Sequence, residues 1–286
     1  MSAVAPAQGR EGSPAELADF VARHPRLFVL SGAGVSTASG IPGYRDRAGQ
    51  WNRSPPVMLQ EFLAKPSMRR HYWARSMLGW PIVADAKPNP AHAALASLEE
   101  RGRIGQLVTQ NVDGLHQRAG SSKVLELHGS IARVTCLDCG ASYARSEVQR
   151  QLLAANGEFE RSAAAAAPDG DADLDARDLV AFEVPACVAC GGILKPDVVF
   201  FGDSVPRDRA EAAAQAVDDC DAMLVVGSSL MAYSGFRLCE RADRSGKPIA
   251  AINLGRTRAD SLLAFKVQQS CAQALAALVT QFDAGR

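Results

Sequence analysis

The chain is predicted to be an α/β protein: a parallel sheet covered on both faces by helices and interrupted by one small inserted unit. Two observations predict this. Short apolar runs bounded by turn signals alternate with helical patterns along most of the 286 residues, which is the signature of βαβ units. Between Arg133 and about Asp197 the rhythm stops, and both CxxC pairs of the chain fall inside that interruption.

Residues 1–12 are small and polar and read as a disordered N-terminus. Ser13-Pro14 then opens a helix, with Ser as N-cap, Pro in the first turn and Glu16 at the third helical position. Leu27–Leu30 is a short apolar run that ends at Ser31-Gly32, a buried parallel strand. Similar runs follow at Gln106–Thr109, Lys123–Leu127, Ala222–Val226 and Pro248–Leu254. Helical patterns lie between them at Ala91–Glu100, Arg207–Val217 and Gly235–Arg244, with a last helix near Ala272–Phe282. On this reading 13–132 and 196–286 form the large domain. Residues 133–195 form the inserted module, with a flexible loop near 163–173 in the low-complexity stretch Arg161–Asp175.

Hydrophobic residues make up 47% and charged residues 22% of the chain, ordinary for a soluble globular protein. The 31 basic and 31 acidic side chains cancel, so no net field drives the protein toward nucleic acid or an anionic membrane, and neither is expected as a partner. A basic peptide would need only local acidic groups. No apolar run approaches the roughly 20 residues that span a bilayer. The opening MSAVAPAQGREGSPAEL lacks an apolar h-region, so no secretory signal is read and a cytoplasmic protein is expected.

The strongest local signal is Cys136-Leu-Asp-Cys139-Gly with Cys187-Val-Ala-Cys190-Gly, separated by 47 residues (140–186). A CxxC turn lets two thiolates chelate one ion, and a following glycine relaxes the turn. Two such knuckles supply four sulfurs in a tetrahedron, the shell a structural Zn²⁺ prefers. Redox thiols are the alternative, but an odd total of seven cysteines with paired CxxC spacing suits a metal site better than a disulfide framework. Four thiolates would leave no open position for catalysis. Cys220 and Cys239 sit in helical patterns and read as buried core thiols.

The first strand is followed by Ser31-Gly32-Ala33-Gly34-Val35-Ser36. A strand followed by GxG suggests backbone brought close to a pyrophosphate, although a bare tight turn would look the same. The dehydrogenase fingerprint GxGxxG is not met, because Thr37 stands at the third glycine position. Next comes Ser39-Gly40-Ile41-Pro42-Gly43-Tyr44-Arg45-Asp46, which cannot be a helix and implies a loop over the nucleotide carrying one arginine.

Here the sequence resembles a known family. GAGVSTASGIPGYRD (Gly32–Asp46), TQNVDGLH (Thr109–His116), ELHG (Glu126–Gly129), the paired CxxC, LKPDVVFFGD (Leu194–Asp203), VGSSL around Gly227 and INLG (Ile252–Gly255) occur in this order in sirtuins. The likeness runs from about Leu27 to Cys271. It implies a Rossmann-like parallel sheet, the sirtuin large domain, with an inserted small zinc-binding domain. NAD and an acylated lysine would meet in the cleft between them. YWAR, GWP, PNPAH and VPACVACGGILKPDVVFFGD are most similar to the class II branch that contains the mitochondrial lipoamidase sirtuin.

The resemblance implies an NAD-dependent protein lysine deacylase that passes the acyl group to ADP-ribose and releases nicotinamide. Its cofactor set would be Gly32, Ala33, Gly34, Ser36, Ile41, Pro42, Tyr44 and Arg45 on the phosphate side. Gln110, Asn111, Val112 and Asp113 would face the nicotinamide and its ribose. Gly227, Ser228, Ser229, Asn253, Leu254, Gly255 and Cys271 would line the adenosine side. His128 is the general-base candidate, at the end of the run KVLEL, with Asn111 and Asp113 as its catalytic companions. From spacing alone, a core histidine bonded to the backbone is the alternative. Val199, Phe200, Phe201 and Gly202 would line the acyl-lysine tunnel and pair with the substrate peptide as an added strand. Tyr72 and Arg75, three apart on one helix face, are similar to the pair that binds acidic acyl groups in class II desuccinylases, and surface packing would explain them as well. The expected partners are acylated lysine side chains of proteins, and a monomer is expected. Two rivals keep the same residues: a protein mono-ADP-ribosyltransferase, and a catalytically idle NAD-sensing zinc module.

Overall fold

The computed structural model describes residues 10–44, 46, 48, 50, 56–157 and 179–284. Arg45 and the loop expected at 163–173 lie outside the described residues. In chain order the strands are β1 (Leu27–Ser31), β2 (Ile104–Thr109), β3 (Val124–Glu126), β4 (Gly129–Cys136), β5 (Ser142–Ala144), β6 (Leu194–Val198), β7 (Ala222–Val226), β8 (Ile249–Ile252) and β9 (Phe265–Val267). The helices are α1 (Pro14–Arg23), α2 (Leu59–Ala64), α3 (Pro66–Asp85), α4 (Pro90–Glu100), α5 (Leu115–Arg118), α6 (Arg145–Ala155), α7 (Arg207–Asp219), α8 (Tyr233–Arg244) and α9 (Cys271–Ala284).

Six strands form one parallel sheet in the order β3-β2-β1-β7-β8-β9. Every residue of β1 and β7 is buried. Leu27 and Val29 face a core built with α1, α4 and α9, whereas Phe28 and Leu30 face one built with α7 and α8. Cover on both faces is why these strands are continuous apolar runs rather than alternating ones. α1 starts as read, with Ser13 Oγ accepting the amide hydrogen of Glu16 at 3.2 Å.

Strand order reverses at β1, which has β2 on one side and β7 on the other. The chain runs from β1 toward β2 and from β7 toward β8, on opposite sides, and a crevice opens above the carboxyl ends of the two strands. That crevice is where the fold places a ligand.

Residues 10–12, the described part of the segment expected to be disordered, depart from that expectation. Lys266 N donates to Arg10 O at 2.8 Å and Gly12 N to Lys266 O at 2.9 Å, so this segment covers the outer edge of β9. β9 itself is absent from the sequence reading: it is three residues long, with Lys266 at its centre. The buried Lys266 ammonium is held by Asp260 at 2.9 Å and by the Gly255 carbonyl at 3.0 Å.

The second sheet is antiparallel, β5-β4-β6, with α6 packed on it. Its apolar cluster joins Val134, Val148 and Leu194 to Phe62 of α2 and to Trp73 and Met77 of α3. Helices α2 and α3, allotted in sequence to the large domain, thus share their core with the small sheet. Arg145 of α6 fastens them. Its guanidinium lies against the rings of Trp73 and Trp80 at 5.3 and 5.0 Å. It donates to Gln149 Oε1 at 2.8 Å and to Ser76 O and Oγ at 3.2 and 3.1 Å.

Candidate active site and metal centre

The turn after β1 and the turn after β7 touch backbone to backbone. Gly34 N donates to Gly227 O at 2.8 Å, and Gly32 N to Val226 O at 3.0 Å. Gly227 has φ +62, and a Cβ there would lie 2.5 Å from Val35 N. A Cβ on Gly34 would lie 2.8 Å from Gly227 O. Glycine is required at both positions by close approach, and at Gly227 also by the left-handed backbone. Three residues on, Leu230 has φ +57 and is the one non-glycine residue with positive φ among the described residues. Such strain in a leucine is held only by its surroundings and clusters at functional sites.

A cavity of about 860 Å³ opens over this junction. Gly32, Ala33, Gly34 and Tyr44 line it, as do Gly227, Ser228, Ser229, Asn253, Leu254 and Cys271. Gln110, Asn111 and Val112, just after β2, line it together with His128, between β3 and β4. Val199, Phe200, Phe201, Gly202 and Tyr72 complete the lining considered in the sequence. The packed glycines leave a cradle with no side chain in it, which fits a bulky anion brought against main chain.

Some candidates stand behind this lining. Ser36 is buried beneath it, accepts from Asn111 Nδ2 at 3.1 Å and donates to Asp113 Oδ2 at 2.8 Å. The other Asp113 oxygen accepts from Leu115 N at 2.9 Å. Asp113 thus orients Asn111 through Ser36. Ile41 is buried in an apolar cluster with Val112 and Ile131. Pro42 and Gly255 do not line the cavity. Arg75 is buried on α3, with Nη1 3.4 Å from His71 Nε2, and does not line the cavity although Tyr72 does. Their spacing predicts one helix face for the pair, but only Tyr72 lines the cavity, where its ring packs 5.5 Å from Phe62 and 5.0 Å from Phe200.

His128 has both ring nitrogens engaged. Nδ1 is 2.9 Å from the carbonyl oxygen of Gln110, and Nε2 is 2.8 Å from Ser234 Oγ. A carbonyl can only accept, so Nδ1 carries the hydrogen and Nε2 is the basic nitrogen of the neutral ring. Burial holds its pKa below the usual histidine value, and the Gln110 carbonyl partly offsets that. The ring is therefore an unprotonated base near neutral pH. Gln110 is fixed in turn, its Oε1 accepting from Ser228 Oγ at 2.6 Å. Two further histidines, His92 and His116, are buried behind the site with ring centroids 4.9 Å apart. Burial depresses His116 to about 3, which suits a neutral structural group rather than a second base.

Ser234, Met231 and Arg237 also line the cavity, yet the sequence reading did not single them out. They carry no motif, and only the path of the chain out of β7 into α8 brings them there.

The four knuckle cysteines converge, with their sulfurs all within 4.8 Å of one another. Cys136 Sγ and Cys190 Sγ are 3.5 Å apart, and Cys139 Sγ and Cys187 Sγ 3.7 Å. A tetrahedron with Zn–S of about 2.3 Å has edges of about 3.8 Å, so the donor set fits one structural zinc. Gly140 and Gly191, which follow the second cysteine of each pair, have φ +74 and +76. Those left-handed turns bring Gly140 N onto Cys136 O and Gly191 N onto Cys187 O, at 3.0 and 2.8 Å.

The Sir2 family model matches residues 32–234. The chain is 58% identical over 263 residues to NAD-dependent protein deacetylase 2 of Bradyrhizobium diazoefficiens, covering 92% of this chain and 96% of that protein. It is 58% identical over 262 residues to NAD-dependent protein deacetylase of Xanthomonas campestris pv. campestris, covering 92% and 89%. Among solved structures, Sir2 with a p53 peptide and NAD+ aligns at TM-score 0.75 and 31% identity, covering 96% of this chain and all (100%) of that one. Sir2 bound to a propionylated peptide aligns at 0.76 and 30% identity, covering 95% and 99%.

Proposed function

The chain belongs to the Sir2 family, and from that premise we propose that it is an NAD-dependent protein lysine deacylase acting on acylated lysine side chains of proteins. The observation that carries the reading is the His128 ring, a neutral base whose Nε2 meets Ser234 Oγ, both residues lining the cavity that also holds the glycine cradle. The idle-module reading has no use for such a base. When bound, NAD supplies the electrophilic ribose carbon and the hydroxyl that receives the acyl group.

The residues divide the work. The Gly32–Gly34 turn, packed on Gly227, holds the phosphates against main chain, and Ser228 and Ser229 lead from it to the adenosine side. Asn111, braced by Ser36 and Asp113, grips the nicotinamide amide. Asn253, Leu254 and Cys271 enclose the adenosine. Val199 to Gly202 pair with the substrate strand, and His128 removes the hydroxyl proton. Gly227→Ala is expected to weaken NAD binding at least tenfold by calorimetry, because its Cβ would open the two turns. Affinity within about twofold of wild type would overturn the cradle assignment.

Incubation with NAD and a panel of acyl-lysine peptides, followed by mass spectrometry, tests the activity. Deacylated peptide with acylated ADP-ribose is expected; ADP-ribose attached to protein would support the transferase instead. For the acyl end of the site we assign Tyr72 but not Arg75. Arg75→Met should therefore leave the ratio of kcat/KM for succinyl and acetyl peptides within about twofold. A lost charge-assisted contact would instead cost roughly ten- to a hundredfold on the succinyl peptide alone, and that result would return Arg75 to the acyl pocket.

No helix among the described residues is long and apolar enough to cross a membrane. We assign the protein to the cytoplasm as a monomer without a nucleic-acid partner, consistent with its zero net charge. The motif blocks named above support the class II branch.

A further inference from the structure

A neutral imidazole accepts one hydrogen bond in its ring plane, at its single lone pair. In His128 that lone pair is on Nε2, because Nδ1–H is committed to the Gln110 carbonyl at 2.9 Å. Ser234 Oγ already stands at it, 2.8 Å away, and must donate to a nitrogen that can only accept. A substrate hydroxyl in the cavity thus meets Ser234 at the base. Ser234 lines the cavity itself, and its oxygen keeps acceptor lone pairs free for a second partner. It is held there by the first turn of α8, whose next residue, Gly235, is pressed so closely on the Gln110 side chain that a Cβ would lie 2.5 Å from Nε2 of Gln110. Serine and base are thereby fixed by the same residue.

We propose that Ser234 is a catalytic residue, a hydroxyl relay between the substrate ribose hydroxyl and His128. The ribose O–H proton passes to Ser234 Oγ as the proton of Ser234 passes to Nε2. Ser234 ends as it began, the imidazole becomes imidazolium, and the ribose oxygen becomes the nucleophile. No oxidant or further reactant is needed. The proposal rests on the deacylase reading with His128 as base.

The test compares Ser234→Ala, Ser234→Thr and His128→Ala. Ser234→Ala is expected to lower kcat roughly a hundredfold, in the range of a lost general acid–base step, while the Kd for NAD by calorimetry stays within about twofold. Ser234→Thr keeps the hydroxyl and should recover kcat to within about fivefold. In the free protein, ¹⁵N-histidine spectra should show Nε2 as a hydrogen-bond acceptor in wild type and Ser234→Thr, and unbonded in Ser234→Ala. Near-normal kcat in Ser234→Ala, or an unchanged Nε2 resonance, overturns the relay. If His128→Ala is also active, the base assignment itself fails; if it is inactive while Ser234→Ala is normal, only the relay fails.

Discussion

Replacing His128 with alanine is expected to lower kcat by roughly 10²–10⁴-fold, the range for a lost general base, which is about 3–5 kcal/mol of barrier. NAD affinity should hardly change. The cradle of Gly32, Gly34 and Gly227 is built from main chain on β1 and β7 and makes no contact through the imidazole. The pH profile adds a second signature. The imidazolium cannot accept a proton, so activity falls as pH drops through the His128 pKa. Burial sets that pKa below the ordinary 6.5, against a smaller upward pull from the Gln110 carbonyl, so the acid limb of kcat/KM for wild type should lie below 6.5. Calorimetry and steady-state rates on the variant, with a wild-type pH series, check both parts. Turnover near wild type, or an acid limb above 6.5, would remove His128 from the role.

The base was legible because ELHG is a local pattern at the end of an apolar run. Its clamp was not. One partner is a backbone carbonyl, to which any residue at Gln110 would contribute equally. The other, Ser234, is 106 residues away and belongs to no motif. The same division holds for the fold. β1 and β7 were readable because helices cover both their faces and make them apolar throughout. α3 was legible only as a helix face around Tyr72 and Arg75, without bounds, because Tyr72, Trp73, Ala74, Arg75, Ser76 and Met77 are all buried. Six consecutive buried residues, one of them an arginine, erase the periodicity from which a helix is read. Spacing puts Arg75 on a face with Tyr72, but packing around α3 decides which side chain lines the cavity, and there Tyr72 stands and Arg75 does not. The CxxC pairs were legible in full, since metal ligation is written in residue type and short spacing even when the two halves are far apart.

Substituting Cys187 by serine, or stripping the metal with a chelator, is expected to unfold the small sheet and with it to abolish turnover. Cys136 and Cys187 are buried in the cluster with Val134 and Leu194. Without an ion, sulfurs 3.5 and 3.7 Å apart would rely on weak thiol hydrogen bonds, such as that of Cys187 with the Tyr143 hydroxyl at 3.0 Å, and on the two turn bonds. Structural zinc contributes about 10–16 kcal/mol in isolated finger peptides, as much as the whole stability of an ordinary domain at about 5–15 kcal/mol. The effect reaches the base through main chain. β4 begins at Gly129, directly after His128, and Val199, directly after β6, donates its amide hydrogen to His128 O at 2.8 Å. The small sheet therefore holds His128 from both of its long strands, and loosening it moves the imidazole although the zinc touches no reacting group. The six-stranded sheet has its own two apolar cores and should survive. Metal analysis should find about one zinc per chain. After chelation, circular dichroism should retain much of the helical signal, while limited proteolysis should cut first within 129–198. Folded, active protein without metal would show that the four cysteines do not carry the stability of this unit.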